Sequence, residues 1–130
     1  MKISYQEEHQ FTKDGNGKPH PLLPVTLVGS QYRKVKTSAL LDTGADCSVF
    51  DSSFAYAIGL DVLSGEPSTL LGFGPGEVPC FYHKVTLLVG SVRLEAAIAF
   101  VDQQYKEDKP VAIIGRRDIF DLLSIGLRQK

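Results

Sequence analysis

Ala39-Leu40-Leu41-Asp42-Thr43-Gly44-Ala45-Asp46 is an apolar run that ends abruptly in an acid, a hydroxyl and a glycine. Read alone, Asp42-Thr43-Gly44 is an ordinary turn leaving a strand, because Asp, Thr and Gly are all common turn formers. The position of the acid sets the stretch apart. An apolar strand delivers Asp42 to a tight turn, and Gly44 lets the backbone fold closely there. A carboxylate at the end of a buried strand is costly unless it is hydrogen-bonded or has chemistry to perform.

Two further stretches change the weight of that reading. Far downstream, Val111-Ala112-Ile113-Ile114-Gly115 is a second apolar run ending in glycine, followed by Arg116. Between the two lies a glycine-rich tip, Gly72-Phe73-Gly74-Pro75-Gly76, with apolar sequence on both sides. On these three features, in this order, the chain resembles the retropepsins, the single-domain aspartic proteases of retroviruses and their cellular and bacterial relatives. The resemblance covers residues 22 to 125.

Bulk properties fit one globular domain spanning residues 1–130, long enough for a modest core. Apolar residues make up 43% and charged residues 22%, which is not the composition of a disordered chain. A net charge of −1 advertises neither a nucleic-acid nor an anionic-membrane surface. Met1 to Glu8 lacks the apolar core of a signal peptide, and no apolar run reaches membrane-spanning length. We therefore expect a cytoplasmic protein without a membrane or nucleic-acid partner. Cys47 and Cys80 lack metal-ligand spacing and read as small buried hydrophobes, so we expect neither metal nor cofactor.

The chain taken in order predicts many short strands. Ile3 to Phe11 reads as an edge strand, and Asp14-Gly15 and Asn16-Gly17 are hairpin signals. Pro19, Pro21 and Pro24 hold the following segment extended. Leu22–Val28 reads as a strand. Tyr32–Leu41 alternates until Leu40 breaks the pattern, so that strand is expected to become fully buried near Asp42. Cys47–Phe50 reads as a strand, and Ser52 or Ser53 as the cap of a short helix ended by Gly59. Ser64–Pro67 reads as loop, and Asp102–Lys109 as a solvated loop. Ser68–Leu71 and Val78–Val89 form the arms of a hairpin around the glycine tip. Gly90-Ser91 is a two-residue turn to Val92–Val101. Val111–Ile114 is a buried strand, Arg117–Leu123 a short amphipathic helix, and Ser124–Lys130 one more strand. The fold class expected is all-β, a closed or partly open acid-protease barrel with a flap hairpin and one short C-terminal helix. Residues 1–21 form an N-terminal extension and 70–82 the flap region.

The resemblance implies a chemistry as well as a fold. Peptide hydrolysis in this family uses two carboxylates about 3 Å apart that share one proton. This chain holds one Asp-Thr-Gly. Two copies would therefore meet as a homodimer, Asp42 facing Asp42. By the same resemblance, Asp42, Thr43 and Gly44 are the catalytic triplet. Ala45, Asp46, Gly72, Phe73, Gly74, Val111 and Ile113 contact a peptide or protein substrate. Asp46 and Arg116 form a structural ion pair, whose disruption costs on the order of 3–5 kcal/mol where such a pair is buried. Ile114 reads as core. Viral members dimerise through interleaved terminal strands and carry Asn or Asp directly after the arginine. Here Arg117 and then Asp118 follow. The function expected is an aspartic endopeptidase; the alternative is a non-catalytic peptide-binding or dimerisation module on the same scaffold.

Overall fold

A computed structural model describes residues 11–13, 19–72, 76–102 and 110–128. Among the described residues eight strands and two α-helices follow one another: β1 Phe11–Lys13, β2 Pro19–Val28, β3 Lys34–Asp42, β4 Ser48–Asp51, α1 Ser52–Ala57, β5 Glu66–Leu70, β6 Val78–Val89, β7 Val92–Val101, β8 Ala112–Gly115 and α2 Arg116–Arg128.

The sheet runs in the order β1-β2-β3-β8-β4-β7-β6-β5, and β2 also pairs with β6. That extra pairing, Thr26 opposite Leu88, closes six strands into a barrel. β1 and β5 hang outside it, each on one neighbour. Closure removes two of the sheet edges that would otherwise invite aggregation.

Alternation builds the interior. Leu23, Val25 and Leu27 from β2 meet Val85, Leu87 and Val89 from β6 and Val92, Leu94, Ala96 and Ile98 from β7. Phe50 and Phe54 stack edge to face, with centroids 5.6 Å apart, at the helix end of this core. The pattern changes on β7 after Ala97, where Ile98, Ala99, Phe100 and Val101 are all buried. There the strand is covered on both faces. Ile98 and Phe100 belong to the main core, while Ala99 and Val101 join Val49 and Cys80 in a second, smaller cluster. Cys47, Leu70, Val78, Tyr82 and Val111 pack on that cluster, so it lies under both the Asp42 loop and the β5–β6 hairpin.

Several expectations need correction. β2 begins at Pro19, not Leu22, and carries Pro24 opposite Ser38. A proline is tolerated there because β6 pairs with β2 only at residues 26–28, leaving the other edge of Pro24 free. β5 begins at Glu66 with Pro67 inside it, on the edge of the sheet, where a missing N–H breaks no ladder. The cap of α1 is Asp51, which accepts from the Ser53 N–H at 3.0 Å; neither serine does this work. Gly59, at φ +78°, stops that helix as expected. α2 runs on to Arg128, so residues 124–128 are helical where a strand is expected. Its amphipathic register continues through Ile119, Leu122 and Ile125, which pack on the core and keep the segment helical. β1 and β2 pair with Lys13 opposite Pro19, consistent with a hairpin. The Asp-Gly and Asn-Gly signals between them, most of the Ile3–Phe11 strand and most of the Asp102–Lys109 loop lie outside the described residues.

Candidate active site

Asp42 is the last residue of β3, beside Gly115 at the end of the parallel strand β8. β3 does not become fully buried as it approaches the turn. Ala39 is buried, but Leu40, Leu41 and Asp42 are only half-buried. The register shows why. Leu41 points inward and packs on the main core, whereas Leu40 and Asp42 share the opposite face, with half-buried Ile113 beside Leu40. That face belongs to neither apolar cluster.

The turn after Asp42 is held by local bonds. The Gly44 N–H donates to Asp42 Oδ1 at 2.9 Å, and the Ala45 N–H donates to the Asp42 carbonyl at 3.1 Å. A Cβ on Gly44 would stand 3.1 Å from the same Oδ1 and press on the carboxylate. Thr43 and Gly44 are exposed.

Chain from the far end of the sequence clamps this loop. The Arg116 N–H donates to the Ala45 carbonyl at 2.7 Å. The Gly115 N–H donates to Ser48 Oγ at 3.0 Å, and Ser48 Oγ in turn donates to the buried Asp118 carboxylate. Gly115 lies so close to the Cys47 backbone that a Cβ there would meet the Cys47 carbonyl oxygen at 2.3 Å. Arg116 also pairs with Asp46. The Ile-Ile-Gly-Arg run is thus the brace of the Asp-Thr-Gly loop.

The sequence singled out the ion pair but not the Ser48–Asp118 bond. Asp46 is 80% and Arg116 51% exposed, so the large cost of breaking a buried pair does not apply to a single chain. Arg116→Ala is expected to change the stability of the folded chain by about 1 kcal/mol or less, read as the urea midpoint. Asp118 carries the greater electrostatic tension. Burial pushes its carboxyl up from the ordinary range, against the hydrogen bond from Ser48, with Asp121 adding to the rise and Arg117 opposing it. Folding therefore tightens its grip on the proton. The resulting stability is fully present below the unfolded value, about 4, and is lost as pH rises through the folded value. Relative to Asp118→Asn, the wild-type thermal midpoint is expected to fall as pH is raised from below that range toward neutrality.

A cleft of about 510 Å³ opens between the loop and the base of the hairpin, bordered by Asp46, Cys47, Ser68, Leu70, Tyr82 and Arg117. The Tyr82 hydroxyl donates to Cys47 Sγ at 3.5 Å, and this bond, with burial, pushes the phenol well above its usual range. Burial, then the neighbouring Cys47, also raises the Cys80 thiol, which keeps it protonated. Both cysteines are free, Cys80 fully buried as expected and Cys47 only half-buried.

The hairpin itself is present. Leu70 pairs with Val78, and Gly72 at φ +93° and Gly76 at φ +76° bracket the tip with open space around them. Phe73, Gly74 and Pro75, the tip residues, lie outside the described residues. Val111 packs on the second cluster and its carbonyl accepts from the Asp51 N–H at 2.9 Å. Ile114 is core. Among the described residues no three His, Cys, Asp or Glu side chains gather to hold a metal, and no helix is long and apolar enough to cross a membrane.

A closed six-stranded barrel, with an Asp-Thr-Gly loop at a strand end and a glycine-tipped hairpin beside it, defines an aspartic protease of the retropepsin type. A family model for aspartyl protease matches residues 23–117, well over half of the chain, and the chain belongs to that family. It is an aspartic endopeptidase. Among solved structures, EIAV protease complexed with the inhibitor HBY-793 is similar over 85% of this chain and 94% of that one, with 25% identity and a TM-score of 0.56. A retropepsin-like aspartic protease from Rickettsia conorii shares the fold over 81% of this chain and 72% of that one, at 14% identity and a TM-score of 0.56. No curated protein matches by sequence.

Proposed function

We propose that this chain hydrolyses peptide bonds as a symmetric homodimer, in which Asp42 of one copy meets Asp42 of the other. One observation carries the reading. The chain has a single Asp-Thr-Gly, and its Asp42 stands half-buried on a face of β3 that neither core cluster covers. Two carboxylates are needed to share one proton, and two copies supply them.

In the dimer, the ionised Asp42 takes a proton from a water molecule while the protonated one hydrogen-bonds the scissile carbonyl oxygen. The water oxygen adds to the carbonyl carbon. The tetrahedral intermediate then collapses as the amide nitrogen receives a proton and the C–N bond breaks. Thr43 fixes the loop across the two-fold axis, and Gly44 offers its carbonyl to the substrate backbone. Substrate lies extended between the Ala45-Asp46 segment and the hairpin, held by strand-like bonds to the backbone around Gly72, Phe73 and Gly74. Ile113 and Val111 face the side chains beside the cut and favour apolar ones.

The test uses dilution. A peptide library is incubated with the protein from acid to neutral pH, and cleavage per chain is followed as concentration falls. Specific activity is expected to drop where light scattering shows dimers separating. Constant activity among monomers, or no cleavage by a dimer at any pH, would overturn the reading.

A further inference from the structure

We propose that the two copies meet through an apolar strip on α2, formed by Phe120 and Leu123 and continuing from Arg116 along one face of the helix. This inference rests on the homodimeric reading above and says where the partner sits.

Residues spaced by four and three stand above one another on a helix, so Arg116, Phe120 and Leu123 share a face. Phe120 is 59% and Leu123 48% exposed, while Asp118 and Leu122 on the other side of α2 are each 4% exposed. A surface helix ordinarily gives its outer face to polar residues. Here a phenylalanine and a leucine one turn apart face water, which marks a contact surface.

The position of the strip identifies its occupant. α2 starts at the catalytic loop, since the Arg116 N–H is bonded to the Ala45 carbonyl and its guanidinium to Asp46. From Arg116 to Leu123 the helix advances roughly 10 Å. A second copy that brings its Asp42 within about 3 Å of the first must come close to this short length of helix. A two-fold contact joins a surface to itself, and an apolar strip is complementary to its own copy. The segment after residue 123 points the same way. Residues 124–128 are helical and supply no strand to interleave with a partner. Other exposed apolar side chains, such as Tyr56 and Leu63, sit on other elements.

Sedimentation equilibrium on the full chain tests the inference. Compared are wild type, the double variant Phe120→Arg with Leu123→Arg, and the control Leu63→Arg. The double variant is expected to raise the dimer dissociation constant at least about 100-fold, because each copy loses two buried anchors. Its peptide cleavage should fall with the lost dimer and return at high concentration. The control should match wild type, and the thermal midpoint of the separated chains should hold, since both side chains are exposed. A double variant that dimerises normally would overturn this interface and leave the homodimeric protease standing. A lowered midpoint with an intact dimer would overturn it too, because the strip would then be covered by the chain's own residues. A wild type that stays monomeric at every concentration would sink both readings.

Discussion

Asp42→Asn is expected to give a folded, dimeric protein that cleaves peptides at least about 10⁴-fold more slowly than wild type, the scale seen when one member of a catalytic unit is removed. The fold is spared for a local reason. The bond that Asp42 Oδ1 makes is to the Gly44 N–H, at 2.9 Å, and the Asn amide oxygen accepts it equally well. Asp42 is also only half-buried, so neutralising it leaves no buried gap. What disappears is the exchangeable proton. Two amides facing each other across the axis have no carboxylate to take a proton from water and no acid to hydrogen-bond the carbonyl. Two neutral amides can meet without the proton that two carboxylates must share, so the variant is expected to dimerise at least as tightly as wild type. Progress curves with a cleavable peptide and sedimentation on the same samples check both halves. Undiminished cleavage would place the chemistry elsewhere in the chain.

Gly115→Ala is the second large effect, and it acts on the fold before the chemistry. The added Cβ would stand 2.3 Å from the Cys47 oxygen, 2.4 Å from its carbonyl carbon and 2.8 Å from its Cα. These are backbone atoms, so no rotamer change relieves the overlap. Either β8 or the segment after the Asp42 loop must move. Movement there strains the Gly115 N–H bond to Ser48 and the Arg116 N–H bond to Ala45 together. Overpacking combined with a broken buried network is expected to cost roughly 3 kcal/mol or more. In a domain of this size the thermal midpoint should fall by roughly 10 °C. A variant with an unchanged midpoint would show that Cys47 and β8 can separate without cost. The contrast with Arg116→Ala is informative, because the next residue's charge is exposed while the glycine's missing side chain is buried.

These expectations rest on features that were legible in the sequence to different degrees. The barrel class followed from short alternating runs between turn residues, and the Asp42 loop from an acid at the end of an apolar run. The likeness of Ile113-Ile114-Gly115-Arg116 to a known run pointed to its partnership with that loop. Boundaries were less legible. Pro24 and Pro67 fit inside strands only because each falls where an edge is free, and edges are a property of the assembled sheet. From sequence the segment after residue 123 reads as a strand, yet Ile119, Leu122 and Ile125 extend one apolar register that the core accepts as helix.

Ser48 and Asp118 were missed for a plainer reason. They are 70 residues apart, and a serine after Cys47 and an acid after Arg117 have no local pattern to announce a bond. The sequence by itself determined the turn chemistry at Asp42, the glycine-tipped hairpin and the alternating strands, because each depends on neighbours a few residues away. Only the tertiary structure decided that β2 reaches β6 to close the barrel, that Ser48 finds Asp118, and that Phe120 is left facing water. Each of those depends on chain folded back from far along the sequence, where steric fit and burial, not local preference, choose the partner.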